Sequence, residues 1–278
     1  LGIITDLDKA IQEDDLLLIK KLLAQLGKTP FYKKEKPSPF DEAVSLIWYL
    51  EHVFYHSVPK IYNYIQQHVY DGEPIENEII DLGFWPGGDR DGNPFVTTKI
   101  TLNVAERLRQ TILRSYYRDI RRLKRRFTFD GVQNILSKVE KRLYKHVVRS
   151  YAKVNFSQKI LLEELYAARE IIVNEHQSLF VEELNDVINK VRIFGFHFAT
   201  LDIRQDSRVH HKAFTQIVED LHKIGDTTFP KNYLTLSEKE QIDILSVVKG
   251  EIDTNILTDE TSVKTIESIY ALKEIQHR

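Results

Sequence analysis

FGFHFATLDIR, Phe194 to Arg204, is where the apolar pattern of this chain changes period. Phe196, Phe198, Thr200 and Asp202 fall on one face, and His197, Ala199, Leu201 and Ile203 on the other. That two-residue alternation belongs to a strand, so a short strand is read at 198–203. Asp202-Ile203-Arg204-Gln205-Asp206 leaves its end. Strand C-termini are where α/β barrels place catalytic groups, and arginine can grip phosphate or carboxylate with two parallel hydrogen bonds. The same residues could equally form a buried Asp–Arg pair that orders the corner.

Around this strand the chain reads as helix. Leu7, Ala10, Ile11, Leu18, Leu22 and Leu26 keep helical spacing over residues 6 to 26. Gly27, Pro30, Pro37 and Pro39 then interrupt it. A second helix opens with Ser38 as N-cap, Pro39 at the first helical position, and Asp41 and Glu42 in the first turn. Its stripe runs from Ala43 to Ile65, and Pro59 should kink or split it. Ala105 to Phe127 marks a third long helix, followed by 131–150, 157–174, 179–191, 208–224, 237–248 and 261 to the end. There is no repeat period and no low-complexity tract.

Phe84 to Thr97, FWPGGDRDGNPFVT, packs three glycines, two prolines and two aspartates into fourteen residues. Gly87-Gly88 allows positive φ, and Asp, Asn and Pro supply turn chemistry. This is either a tight connection between helices or a shaped site loop. No Gly-Lys-Ser/Thr follows the glycines, so it is not a phosphate loop. Asp89, Asp91 and Asn93 begin a calcium-loop spacing, but Pro94 and Ile100 stand at its sixth and twelfth positions. His52 and His56 have a metal-ligand spacing on a helix, yet Val53 stands where a zinc protease needs Glu. Two helix-surface histidines is the plainer reading. Residues 107–126 hold Arg107, Arg109, Arg114, Arg118, Arg121, Arg122, Lys124, Arg125 and Arg126. This helix is either a polyanion-binding surface or a solvated face partly paired with Glu106, Asp119 and neighbouring segments.

The totals set bounds. Of the 278 residues, 42% are apolar and 29% charged, with net charge −2, so no overall bias points to nucleic acid or membrane. No apolar run approaches the roughly 18 residues of a membrane span, and no signal-peptide pattern is read at the start. Cysteine is absent, which removes disulfides and thiolate zinc sites and fits a cytoplasmic setting. Methionine is absent too, so a natural start upstream of Leu1 is expected.

Three blocks in order, PSPFDEA (37–43), GFWPGGDRDGNPFVT (83–97) and FGFHFATLDIRQDS (194–207), resemble the signatures of phosphoenolpyruvate carboxylase. The likeness spans essentially the whole chain, more loosely in the intervening helices. It implies a mainly α fold, long helices with a few short strands forming part of an incomplete α/β (TIM-type) barrel. A helical region would cover about 1–190, and a barrel strand with its following helices about 191–278. The family's His-Pro-Thr motif would lie upstream of Leu1. Its metal-binding acidic residues, Gly-Tyr-Ser-Asp-Ser segment and glycine-rich His-Gly-Arg-Gly-Gly loop would lie beyond Arg278. The chain thus resembles an N-terminal-to-middle fragment, inactive alone, of a longer, typically tetrameric, cytoplasmic enzyme.

The resemblance also implies chemistry. Phosphoenolpyruvate and bicarbonate give oxaloacetate and phosphate with Mg²⁺ or Mn²⁺, whose ligands are not in this chain. By resemblance, Arg204 is the strand-end arginine that grips the substrate phosphate. Gln205 and Asp206 share its motif, and Gln205 and Arg90 are further substrate-binding candidates. Gly87, Gly88, Asp89, Asp91, Gly92, Asn93 and Pro94 form the active-site loop. Arg90 is expected to pair with site carboxylates or face anions, and Asp89 and Asp91 to hold the loop in shape. Departures are small: Pro86 stands where Met is common, Phe95 where polar residues are frequent, and Asp206 where Glu is usual.

Overall fold

The helical spacing over residues 6 to 26 does not yield one helix. Asp14 takes a left-handed backbone (φ 55°), and the Asp15 carboxylate accepts from the Leu18 N–H at 3.0 Å. Short acidic side chains compete with the helix for backbone donors, so this pair ends α1 (Gly2–Gln12) and caps α2 (Leu16–Lys28). The computed structural model describes residues 2–30, 36–73, 75, 79–148 and 156–277. The chain divides into two compact units, 1–38 and 39–278. In the first, α1 and α2 pack against each other.

The second unit opens with α3 (Pro39–Tyr49), which has proline first and Asp41 and Glu42 in its first turn. A π-helical turn at Leu50–Phe54 follows, then α4 (Tyr55–Val69), which runs straight through Pro59. The irregularity expected at the proline lies one turn earlier. Pro59 has no N–H to offer and its ring crowds the preceding carbonyl, and a widened turn relieves that crowding without ending the helix.

Thr97 is extended, and its hydroxyl accepts from the Ile100 N–H to start α5 (Thr98–Arg126). Val104, Leu108, Ile112, Leu113, Tyr116, Ile120 and Leu123 are buried along it, so α5 is an axis of the unit rather than a surface helix. α6 (Val132–Val148), α7 (Gln158–Glu175) and α8 (Val181–Phe194) pack in succession, with α6 and α8 also touching α5. One apolar cluster, drawn from residues 40 to 201, joins these helices. A polar knot is set inside it. Lys190 Nζ lies 3.0 Å from Asp119 and 2.7 Å from Asp186, while the Tyr55 hydroxyl donates to Asp119 at 2.8 Å. Burial, then the charge of Asp119, pushes the Tyr55 phenol well above its ordinary value.

Two short strands, β1 (Gly83–Phe84) and β2 (Thr200–Leu201), pair in parallel with Gly83 beside Thr200 and Phe84 beside Leu201. The strand read at 198–203 is therefore shorter. Gly195 (φ 53°) and Phe198 (φ 69°) are left-handed, and the Phe198 N–H bonds the Phe194 carbonyl at 3.0 Å. Phe194, Phe196 and Phe198 are all buried because the chain coils there. Alternation of apolar residues does not distinguish that coil from a strand.

Beyond β2 come α9 (Ser207–Lys223), α10 (Glu238–Val247) and α11 (Glu260–Gln276). Their two small apolar clusters, one around Ile217, Leu257 and Ile266 and the other around Val218, Phe229 and Tyr233, share no residue with the main cluster. A carboxylate staples them together. Buried Asp220 accepts from Lys223 at 2.8 Å, the Thr258 N–H at 2.9 Å and Gln216 at 3.1 Å.

Candidate functional site

The turn after β1 is built from backbone. The Gly88 and Asp89 N–H groups both reach the Trp85 carbonyl, at 2.9 and 3.2 Å. Gly87 is left-handed (φ 85°), and a Cβ there would lie 2.6 Å from Val104 of α5. At Gly88 a Cβ would stand 2.1 Å from the Asp202 carbonyl oxygen. The two glycines let the loop press on α5 on one side and on the end of β2 on the other. The buried Thr101 hydroxyl donates to the Gly87 carbonyl at 2.7 Å, and the Asn93 side chain accepts from the Phe95 N–H at 3.0 Å where the loop turns into α5.

That turn carries the ladder past β1. The Asp202 N–H bonds the Phe84 carbonyl at 2.8 Å, the Arg204 N–H bonds the Gly88 carbonyl at 3.0 Å, and the Arg90 N–H bonds the Arg204 carbonyl at 3.0 Å. Asp89 and Arg204 form a parallel bridge. Two sequence blocks more than a hundred residues apart therefore meet backbone to backbone, bringing Gly87 to Asn93 beside Arg204 and Gln205.

Electrostatics at this junction are mixed. Arg204 Nε and Nη2 both reach Asp202 Oδ2 at 2.7 Å. The Asp202 bond first, then the nearby Asp89 and Asp91, holds the guanidinium further in its charged form. The Asp–Arg corner pair exists, but it is exposed, not buried: the side chains keep 55% and 46% of their surface. A hydrogen bond shared with Asp91, then burial, raises the Asp89 carboxyl, against the opposing Gly92 N–H and Arg204. Gln205 Oε1 accepts from the Asp206 N–H at 3.0 Å, and Asp206 caps α9 while clasping Arg208 at 2.6 Å.

Arg90 turns toward α11. Its Nη2 lies 3.5 Å from the Lys264 carbonyl, its buried Nη1 has no hydrogen-bond partner among the described residues, and burial lowers its pKa while Glu267 favours the cationic form. Behind β2 lies a cavity of about 720 Å³, whose lining includes Leu108, His197, Ala199, Leu201 and Ile203. His197 is exposed by area yet recessed in this hollow. Burial, then Arg109, lowers its imidazole below the ordinary value.

Sequence reasoning does not single out two residues of the site, Thr101 and Val104. Thr97 and Thr101 stand one helical turn apart, a spacing that marks a cap and a loop anchor together. Asp202 belongs to the corner on either reading of the sequence, and its hold on Arg204 agrees with that. Among the described residues, no group of three or more His, Asp or Glu is placed to hold a metal. On α5, Arg118, Arg121, Arg122, Lys124 and Arg126 pair with Glu51, Glu140, Asp119, Glu140 and Glu183. No described helix is long and apolar enough to cross a membrane.

The phosphoenolpyruvate carboxylase family profile matches residues 5–159 and 126–278. The chain belongs to the phosphoenolpyruvate carboxylase family. It is 27% identical over 260 residues to the phosphoenolpyruvate carboxylase of Vibrio vulnificus (strain YJ016), covering 82% of this chain and 29% of that protein. Against the phosphoenolpyruvate carboxylase of Nitrosomonas eutropha, identity is 26% over 276 residues, 84% of this chain and 29% of the relative. For that of Roseiflexus castenholzii the figures are 23% over 294 residues, 87% and 31%. The chain thus spans about three tenths of the length of these curated relatives. Both blocks of the junction fall inside the matched region.

Proposed function

We propose that this chain is the part of a phosphoenolpyruvate carboxylase that grips the substrate phosphate, with Arg204 as the gripping residue. The supporting observation is the backbone bridge between Asp89 and Arg204, which joins the glycine loop to the strand end. Asp202 engages Nε and Nη2 and orients the guanidinium, which stays half exposed. A fixed fork of this kind suits a phosphoryl group, whose charge spreads over its oxygens as it transfers. In the reaction, a bicarbonate oxygen attacks phosphorus and the bond between phosphorus and the enol oxygen breaks, that oxygen keeping the electron pair, to give carboxyphosphate and an enolate. Carboxyphosphate releases carbon dioxide and phosphate, and the enolate carbon attacks the carbon dioxide to give oxaloacetate. Mg²⁺ or Mn²⁺ would hold the enolate, with ligands from outside this chain.

On this reading β1 and β2 are the opening strands of an α/β barrel, carried by the helical region to about residue 190. The parallel pairing supports it, since parallel strands occur almost only with both faces covered. Gln205 and Arg90 are secondary substrate-binding positions, and the chain alone is inactive, with a tetramer as the full-length assembly. The test is complementation: this chain supplied with the missing segments, with oxaloacetate as the readout. Arg204→Ala in the complete enzyme should lower kcat/KM by roughly 10²-fold, the loss of one charge-assisted bidentate contact. An unchanged kcat/KM for Arg204→Ala and Arg204→Lys would remove the phosphate role.

A further inference from the structure

β1 and β2 have two residues each, and a two-stranded pair is marginal in water, so what the ladder rests on decides where it holds Arg204. Both of its sequence blocks rest on α5 through one buried hydroxyl. Thr101 donates to the Gly87 carbonyl at 2.7 Å, and Tyr116 donates to the Gly195 carbonyl at 2.7 Å. The two acceptors are alike. Gly87 (φ 85°) and Gly195 (φ 53°) are both left-handed, which breaks the regular bonding around them and leaves their carbonyls to a donor from another element. The two donors are alike as well: Thr101 keeps 5% of its surface and Tyr116 none. They stand fifteen residues apart on α5, about 22 Å of rise and about four turns, so both leave the same side of the helix. The Tyr116 oxygen also lies 3.2 Å from the Lys190 carbonyl, near the end of α8.

We infer that Thr101 and Tyr116 are positioning residues that hold Arg204 in register against α5, an inference that rests on the phosphate role proposed for Arg204. The path from each hydroxyl to that arginine is short. One peptide past Gly87, the Gly88 carbonyl accepts the Arg204 N–H at 3.0 Å, and the Arg204 carbonyl accepts the Arg90 N–H at 3.0 Å. Past Gly195 the chain runs directly into β2, where the Thr200 N–H bonds the Leu82 carbonyl at 2.7 Å and the Asp202 N–H bonds that of Phe84 at 2.8 Å. α5 is the common gauge. Thr101 sets where the glycine loop presents the Gly88 carbonyl, and Tyr116 sets where the segment into β2 begins. Asp202 orients the guanidinium itself, and the two hydroxyls act on the backbone that carries it.

The test is a pair of double-mutant cycles on kcat/KM in the complete enzyme, each donor being removed at nearly constant shape. Thr101→Val and Tyr116→Phe should each lower kcat/KM for phosphoenolpyruvate by roughly fivefold, the effect of one lost hydrogen bond. In an Arg204→Ala background the same changes should lower it by less than about twofold, because the group they position is gone. Losses that multiply in full belong to a merely structural role and overturn the inference. Thr101→Ser, which keeps the donor, should recover most of the loss, and a serine variant no better than valine overturns it too. A second readout, in this chain alone, does not depend on the phosphate role. In amide NMR spectra the Arg204 N–H proton should move upfield in the valine and phenylalanine variants as its bond to Gly88 lengthens. The amides of Leu136 and Leu165, buried in α6 and α7, should stay in place. An unmoved Arg204 amide overturns the positioning whatever the kinetics. If Arg204→Ala leaves kcat/KM unchanged, the phosphate role fails, and the amide shift alone decides whether the two hydroxyls position this residue.

Discussion

Replacing Gly88 by alanine tests the junction at its tightest point. The added methyl would stand 2.1 Å from the Asp202 carbonyl oxygen and 3.0 Å from its carbon, both backbone atoms that no rotamer change can move. Ordinary contact begins near 3.4 Å, so the end of β2 must retreat by about 1.3 Å. That retreat stretches the two 3.0 Å bonds linking Gly88, Arg204 and Arg90. Overpacking costs about 1–3 kcal/mol, and each strained backbone bond about 0.5–1.5 kcal/mol. The narrower unfolded ensemble of alanine returns about 0.4–1 kcal/mol. A net loss of about 3 kcal/mol follows, within a span of roughly 1–6, or about 6–12 °C in the melting temperature at the central value. Gly83→Ala is the control, since nothing lies within 4 Å of the place its new methyl would take and it should change stability by no more than about 0.5 kcal/mol. Thermal unfolding followed by circular dichroism compares the two. If Gly88→Ala melts within about 1 °C of Gly83→Ala, the close approach is not what holds the loop against the strand.

Other expectations follow from the same packing. Asp119→Ala leaves the Lys190 ammonium and the Tyr55 hydroxyl buried with a partner lost, and should cost about 3–5 kcal/mol in urea unfolding; a loss below about 1 kcal/mol would mean the knot is redundant. Asp220 is shut from solvent by its immediate partners although it lies just beneath the surface. Burial raises its carboxyl, but Lys223, Thr258 and Gln216 outweigh that and hold it down to about 2. Since the folded value lies below the unfolded 3.8, its contribution is complete above about pH 4 and disappears as pH falls through 2. That contribution is about 2 kcal/mol, and Asp220→Asn should flatten the acid limb of stability against pH; an identical limb in the variant would contradict the assignment. Finally, the ion-paired cations of α5 should leave only weak affinity for single- or double-stranded DNA, no tighter than roughly 10⁻⁶ M at physiological salt in filter binding, and nanomolar retention would reinstate a polyanion surface.

What the amino-acid sequence determined by itself was mostly local. The start of α3 is legible from short-range chemistry, with Pro39 first and Asp41 and Glu42 in the first turn, whereas the caps at Thr97 and Ser157 and the Ser237–Glu240 capping box are read from the structure. The motif blocks were legible as well, because Gly87-Gly88 and Asp202 to Asp206 are contiguous residues whose types restrict what the backbone can do. Tertiary structure decided the rest. The phenylalanines at 194, 196 and 198 alternate like a strand but are buried by a left-handed coil, which periodicity cannot reveal. The convergence of Asp89 and Arg204 depends on a carbonyl of one block accepting an N–H of the other across more than a hundred residues. Such a pairing is a property of packed distances. Only the fold shows that Gly88 lacks a side chain because Asp202 already occupies the space.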